Sequence, residues 1–295
     1  MLELARLDPS IYVITTDSRG SVTISGFAES LPDQFVEVGI AEQNAVAMAA
    51  GLAITGKNVF VAGPACFLAA RAFEQIKIDV AYNKSNVKIV GVSAGVSYGP
   101  LGGTHTSLHD FAGIRALPNI FIFAPCDAVQ SAFITGYLAS YNGPAYMRMG
   151  RGDVHRVYGD GECFVPGNAK TVQNGSDATI IACGEMVYYA KKAAELMEAR
   201  GVSVRVLDMF TIKPVDADAI ISAARETKAI VTVEEHSIFG GLGEQVSHIV
   251  SEISPVRMKI MGFPDEECKI GKSSELFEYY GLTPEGIARE VGRLL

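Results

Sequence analysis

One stretch constrains this chain more than any other: Val36 to Gly56, V-E-V-G-I-A-E-Q-N-A-V-A-M-A-A-G-L-A-I-T-G. Gly39 interrupts the backbone after a short β-branched run, and the residues that follow are strong helix formers. From Glu42 to Thr55 this helix has a single charged side chain, Glu42 itself. A helix apolar all round is expected to be buried all round. Ala41, Ala45, Ala49 and Ala53 recur at i+4, so another backbone could approach closely, in a domain core or at a subunit contact. Two readings of Glu42 follow from spacing alone: a first-turn acid favoured by the helix dipole, or a buried group with chemistry to do.

The rest of the chain alternates short β-branched runs with longer helical ones, the pattern of parallel sheets with crossover helices. Strands are expected at 11–15, 34–38, 58–62, 87–91, 120–124 and 145–149, with helices at 42–55, 67–82, 106–116 and 128–140. A Gly- and Asp-rich stretch without helical period follows. A second α/β pattern then has strands at 178–182, 203–208, 229–233 and 256–261, and helices at 186–200, 216–227, 243–252 and 283–294. The fold class is therefore α/β, two successive domains over 1–160 and 177–295, joined by a linker at 161–176.

Composition removes several function classes. A net charge of -8 without a basic stripe argues against nucleic acid. No apolar run reaches the length of about 18 residues that a membrane span needs. Five scattered cysteines without C-x-x-C spacing suit a reduced, cytoplasmic protein rather than a disulfide frame or a zinc site. The N-terminus has an acid and no basic region, unlike a secretory signal.

Gly91 to His109 holds five glycines between a strand and a helix, at the sheet edge where ligands of open α/β proteins bind. His105 and His109 are four apart, but no third ligand accompanies them, and no metal site is expected in this chain. His105 is an acid-base candidate, and His109 is left undecided. Arg148 and Arg151 follow the last strand of the first domain, and read equally as an anion clamp or as an interdomain salt link. Glu234, Glu235 and His236 lead into F-G-G-L-G-E, either an anion site at a helix N-terminus or a tight turn at a subunit contact. Gly159-Asp160-Gly161 imitates a diphosphate-metal motif but lacks the spaced Asn, and is read as a turn.

Taken in order, G-I-A-E-Q-N (Gly39–Asn44), F-L-A-A-R-A-F-E-Q-I (Phe67–Ile76), G-V-S-Y-G-P-L-G-G-T-H (Gly95–His105), A-P-C-D-A (Ala124–Ala128), R-M-G-R (Arg148–Arg151) and E-E-H-S-I-F-G-G-L-G (Glu234–Gly243) carry a resemblance over nearly the whole chain. It resembles the C-terminal half of transketolase and 1-deoxyxylulose-5-phosphate synthase: a pyrimidine-binding domain, then the transketolase C-terminal domain. The resemblance implies thiamine diphosphate. In that family the glutamate matching Glu42 hydrogen-bonds the cofactor's aminopyrimidine, and the imino tautomer it favours takes the proton from the thiazolium C2. Burial without a counter-charge would raise the pKa of such an acid.

By the same resemblance Phe67 stacks on the pyrimidine, with Leu68 the alternative if the register slips, and Ile40 and Arg71 join the cofactor contacts. His105 faces the thiazolium and substrate, and Arg151 holds the substrate's anionic end. Two positions depart from the pattern. Leu101 stands where an aspartate often reads a donor hydroxyl, and Ser93 where a histidine often binds phosphate. The implied function is transfer of a two-carbon ketol unit from a ketose to an aldehyde, on a sugar or sugar-phosphate substrate. The diphosphate-binding domain with its Mg2+ ligands has no match in the 295 residues. A partner subunit is therefore expected to supply it, in an α2β2 assembly with the cofactor shared at the interface. The β subunit of a 2-oxoacid dehydrogenase decarboxylase shares the domain order, but the T-H loop and R-A-F-E-Q-I helix favour the transketolase side. A non-catalytic transketolase-like subunit is the other alternative.

Overall fold

A computed structural model describes Met1 to Leu295. Twelve strands form two sheets. The first contains β1 (Ile11–Thr15), β2 (Phe35–Glu37), β3 (Asn58–Pro64), β4 (Val87–Val92), β5 (Phe121–Phe123) and β6 (Ala145–Arg148). The second contains β7 (Lys170–Gln173), β8 (Ala178–Ala182), β9 (Val204–Asp208), β11 (Ala229–Ser237) and β12 (Arg257–Phe263). β10 (Thr211–Lys213) comes from the second half of the sequence but pairs antiparallel with β5, giving the first sheet the order β10-β5-β6-β4-β3-β1-β2. The second sheet runs β12-β11-β8-β9-β7, parallel except for β7. β7 lies within the expected linker, and neither it nor β10 was expected from sequence.

The helices are α1 (Leu2–Leu7), α2 (Ser25–Ser30), α3 (Glu42–Ile54), α4 (Ala65–Arg71), α5 (Phe73–Gln75), α6 (Asp110–Arg115), α7 (Ala128–Ser140), α8 (Met186–Glu198), α9 (Ala217–Glu226), α10 (Leu242–Ile253), α11 (Ser273–Tyr279) and α12 (Pro284–Leu294). None is long and apolar enough to cross a membrane. The helix expected over 67–82 is broken: Ala72 ends α4, and Ile76–Tyr82 is wound as π-helix. The one expected over 106–116 begins only at Asp110, because Ser107 bridges back to Gly95 instead.

Strand residues alternate between two apolar layers, as the period of two requires. Val13, Phe60 and Met147 face one layer with Ile134 and Leu138 of α7, and Ile14, Val59 and Val61 face the other with Ala45, Val46 and Ala49 of α3. Both layers continue into the second domain, through Ile180, Val206 and α8 on one side and Ile181, Leu207 and α10 on the other. Fully buried Phe111, Phe123 and Phe210 each contribute roughly 1.5–3 kcal/mol by leaving water.

The α3 helix departs from expectation. It is not buried all round: Gln43, Asn44, Ala47, Met48, Gly51 and Ile54 form an exposed face without charge, and Ile54 is 85% exposed. A sequence pattern records what a face avoids, not which chain covers it.

Candidate active site

The first sheet reverses direction of growth at β1, with β2 added on one side and β3 on the other. Such a switch point opens a crevice beyond the carboxyl ends of the strands. Here the crevice is a cleft of about 380 Å³, and every neighbouring strand contributes to it. Thr16, Asp17, Ser18 and Ser21 follow β1, Ile40 and Glu42 follow β2, and Pro64 and Phe67 follow β3. Tyr98, Leu101 and His105 come from the loop after β4, and Arg151 from beyond β6.

Glu42 is 1% exposed at the first turn of α3. Its Oε2 accepts a 2.8 Å hydrogen bond from Arg71 Nη1, the only side-chain hydrogen bond Glu42 makes, so Oε1 is left to the cleft. The expectation of a buried acid without counter-charge is corrected by this pair: the charge-free helix says nothing of α4, which brings Arg71 across. The pair is half exposed on the arginine side and contributes at most about 1 kcal/mol. Arg71 also lies over the Phe67 ring, 4.7 Å from its centroid.

Phe67 packs its ring 5.3 Å from that of His105, edge to face. Leu68, one residue on, turns into the core beside Gly63 and is fully buried, away from the cleft. His105 Nδ1 is 2.9 Å from Thr104 Oγ1, which leaves Nε2 as the nitrogen free for a ligand. His109 occupies the N-cap position of α6 without a side-chain capping bond and does not line the cleft. Leu101 is 55% exposed and Ile40 75% exposed on the cleft rim. Ser93 is 1% exposed with φ +59°, a strained geometry for serine, and its buried Oγ has no partner and does not line the cleft.

The two arginines separate. Arg148 is buried, with Nε 3.1 Å from Asp110 Oδ2 and hydrogen bonds to the carbonyls of Ser107 and Glu235, so it ties the domains together. Arg151 reaches the cleft and lies over the Tyr98 ring, 4.9 Å from its centroid. The helix N-terminus after F-G-G-L-G is already filled from within: Glu234 accepts from Leu242 and Gly243 at 2.7 Å each. Burial pushes the Glu234 carboxyl up to about 7, and burial with nearby Glu185 pushes Glu235 up to about 8. Burial pushes His236 down to about 4. Asp160 pairs with Arg156 on an exposed turn.

The residues after β1 were missed from sequence. Their signal was T-T-D-S-R-G immediately past a parallel strand, and Asp17 takes a left-handed φ of +54° there. Thr16 Oγ1 is buried and has no partner in the chain, at the cleft wall. An unpartnered carboxylate oxygen, an unpartnered hydroxyl, an aromatic ring and apolar Ile40 and Pro64 fit the aminopyrimidine of thiamine diphosphate, which needs polar contacts at its edge and apolar ones at its faces.

Two α/β units in this order, with a buried acid at the switch crevice, are the arrangement expected of the pyrimidine-binding and C-terminal domains of a transketolase-type transferase. The family profile for the transketolase pyrimidine-binding domain matches residues 1–156, and that for the transketolase C-terminal domain matches 167–287. The chain belongs to the transketolase family and corresponds to one of the two kinds of chain in a split transketolase. It is 54% identical over 290 residues to an apulose-4-phosphate transketolase chain of Phocaeicola vulgatus, covering 98% of this chain and 93% of that one. It is 36% identical over 276 residues to the protein of the same name from Actinobacillus succinogenes, covering 93% and 89%. A solved structure described as split gene transketolase, inactive beta4 tetramer, superposes with a TM-score of 0.90 at 39% identity, covering 100% of this chain and 94% of that one.

Proposed function

We propose that this chain transfers a two-carbon ketol unit from a phosphorylated ketose to an aldehyde, together with a diphosphate-binding partner subunit. The observation that carries the proposal is Glu42, whose one unengaged oxygen opens on a cleft walled by Phe67, His105 and Arg151. Thiamine diphosphate, when bound, supplies the electron sink beside a carbonyl. Arg71 fixes Glu42 Oε2, so Oε1 is aimed to hold a proton against a ring nitrogen. Phe67 offers the ring face that Arg71 does not cover, and Ile40 and Pro64 add apolar surface to the same cleft. Thr104 fixes His105 Nδ1, so Nε2 exchanges a proton with a substrate hydroxyl. Arg151 offers a forked donor to a terminal anion. Leu101 accepts no hydrogen bond, so the hydroxyl that other members read there goes unread. The Phocaeicola and Actinobacillus relatives bear the name of a phosphorylated ketose, apulose 4-phosphate, and an anionic end of that kind suits Arg151.

The assembly we propose is α2β2, with the cofactor at the interface and the Mg2+ ligands on the partner. The charge-free outer face of α3 adjoins the cleft and is the surface we assign to that contact. The pyrimidine-binding domain we delimit as 1–160 and the C-terminal domain as 177–295, with 161–176 the connecting stretch that also lends β7 to the second sheet. Five free cysteines support a cytoplasmic location. The test is to co-express the chain with the product of the adjacent reading frame and follow ketol transfer. The complex is expected to bind thiamine diphosphate and turn over, and the lone chain to bind it poorly. Micromolar binding by the lone chain would overturn the shared site.

A further inference from the structure

Tyr98 lines the cleft and its ring contacts both Arg151 and His105. Its ring lies 4.9 Å beneath the Arg151 guanidinium and 5.9 Å from the His105 ring at 85°. Arg151 is exposed, and no carboxylate pairs with it, so the ring is the side chain on which it rests. His105 has other supports, in the Thr104 hydroxyl and the Phe67 ring.

The backbone that carries Tyr98 is gripped by the second domain. Val96 N–H donates to Glu235 Oε1 at 2.8 Å, Ser273 Oγ donates to the Val96 carbonyl at 3.1 Å, and Gly271 N–H donates to the Gly99 carbonyl at 3.4 Å. A Cβ on Gly99 would fall 2.3 Å from the Gly271 carbonyl oxygen, so only glycine permits this approach. An arginine on a solvated loop loses much rotamer freedom when it binds an anion. A braced ring beneath it removes part of that loss beforehand.

We propose that Tyr98 is a positioning residue that holds Arg151 over the cleft for the anionic end of the substrate. The inference rests on the proposed transketolase function. In the reconstituted complex, Tyr98→Leu is expected to raise KM for glyceraldehyde 3-phosphate about tenfold, equivalent to ~1.4 kcal/mol and within the range of a cation–π contact. Its kcat, and both constants for the uncharged acceptor glycolaldehyde, are expected to stay within about twofold, because His105 keeps its other supports. Tyr98→Phe, which retains the ring, is expected to behave as wild type. An equal KM rise for both acceptors, no rise at all, or a Tyr98→Phe defect as large as that of Tyr98→Leu overturns the proposal. A readout without turnover separates this from failure of the parent function. Phenylglyoxal modification of Arg151, followed by mass spectrometry, is expected to be slowed by inorganic phosphate in all three proteins, with Tyr98→Leu needing about tenfold more phosphate than wild type or Tyr98→Phe for the same protection. Equal protection at the same phosphate concentration in all three overturns the positioning role even if the wild-type complex transfers no ketol unit.

Discussion

Glu42→Gln separates the two roles of that carboxylate. Structurally the change removes a charge but keeps the volume and a hydrogen-bond acceptor for Arg71 Nη1, now 2.8 Å from Oε2. Arg71 is 47% exposed on its side chain, so water screens the pair and its loss costs at most about 1 kcal/mol. For a chain of this size that is a fall in Tm of about 2–4 °C at most. Chemically the change removes the group we propose to hold a proton at the cleft, and general acid–base groups contribute roughly 10²–10⁴ in rate. The expected result is a loss in kcat of at least about a hundredfold in the reconstituted complex, with assembly intact and a melting curve close to wild type. Thermal unfolding and ketol-transfer kinetics on the same preparation check both halves. A kcat within tenfold of wild type would refute the catalytic role. A destabilisation above ~3 kcal/mol would refute the argument that the pair is screened.

Lys88 is fully buried in β4, and burial pushes its ammonium down to about 7. Between about 7 and its ordinary 10.5 the unfolded chain binds a proton that the folded chain does not, so this group makes stability rise with pH across that window. Lys88→Met is expected to flatten the rise, as read by denaturant unfolding at pH 7 and 9.5, and an unchanged slope would refute the assignment. Glu235 acts with the opposite sign: between its ordinary 4.5 and about 8 the folded chain holds the extra proton, so stability falls as pH rises through that range. Glu235→Gln is expected to lessen that fall, and a steeper fall in the variant would count against it. A Cβ on Gly51 meets nothing within 4 Å, and a non-glycine residue improves helix propensity. Gly51→Arg is therefore expected to leave the lone chain as stable as wild type or more so, while blocking assembly with the partner. A complex of unchanged mass by light scattering would show that α3 does not meet it.

The parallel core was legible because β-branched runs such as Val87–Val92 and Ala178–Ala182 are buried on both faces and need no partner to be recognised. Thr211–Lys213 was not legible: three residues carry no period, and only the neighbouring β5 makes them a strand. Glu42 was found through the absence of charge around it, whereas its link to Arg71 was hidden, since 29 residues of sequence separate two side chains that the packing of α3 and α4 joins. Arg148 and Arg151 looked equivalent in R-M-G-R. The strand ends at Arg148, which is therefore fixed among buried groups, while Arg151 lies beyond it and is exposed. Phe67 and Leu68 were ambiguous in register until burial distinguished them. The exposed side of α3 reads as core because sequence composition does not distinguish an internal neighbour from an external one.

The strand that β10 lends to the first sheet has an evolutionary and engineering consequence. The sequence boundary between the two halves is therefore expected to be a poor place to cut and recombine this protein. A chimaera that takes its second half from elsewhere inherits a foreign Thr211–Lys213 beside β5. One that ends before residue 211 uncovers that edge and the backbone donors along it. Exchange of substrate specificity between members of this architecture is thus expected to proceed by replacing loops at the cleft, with both halves travelling together.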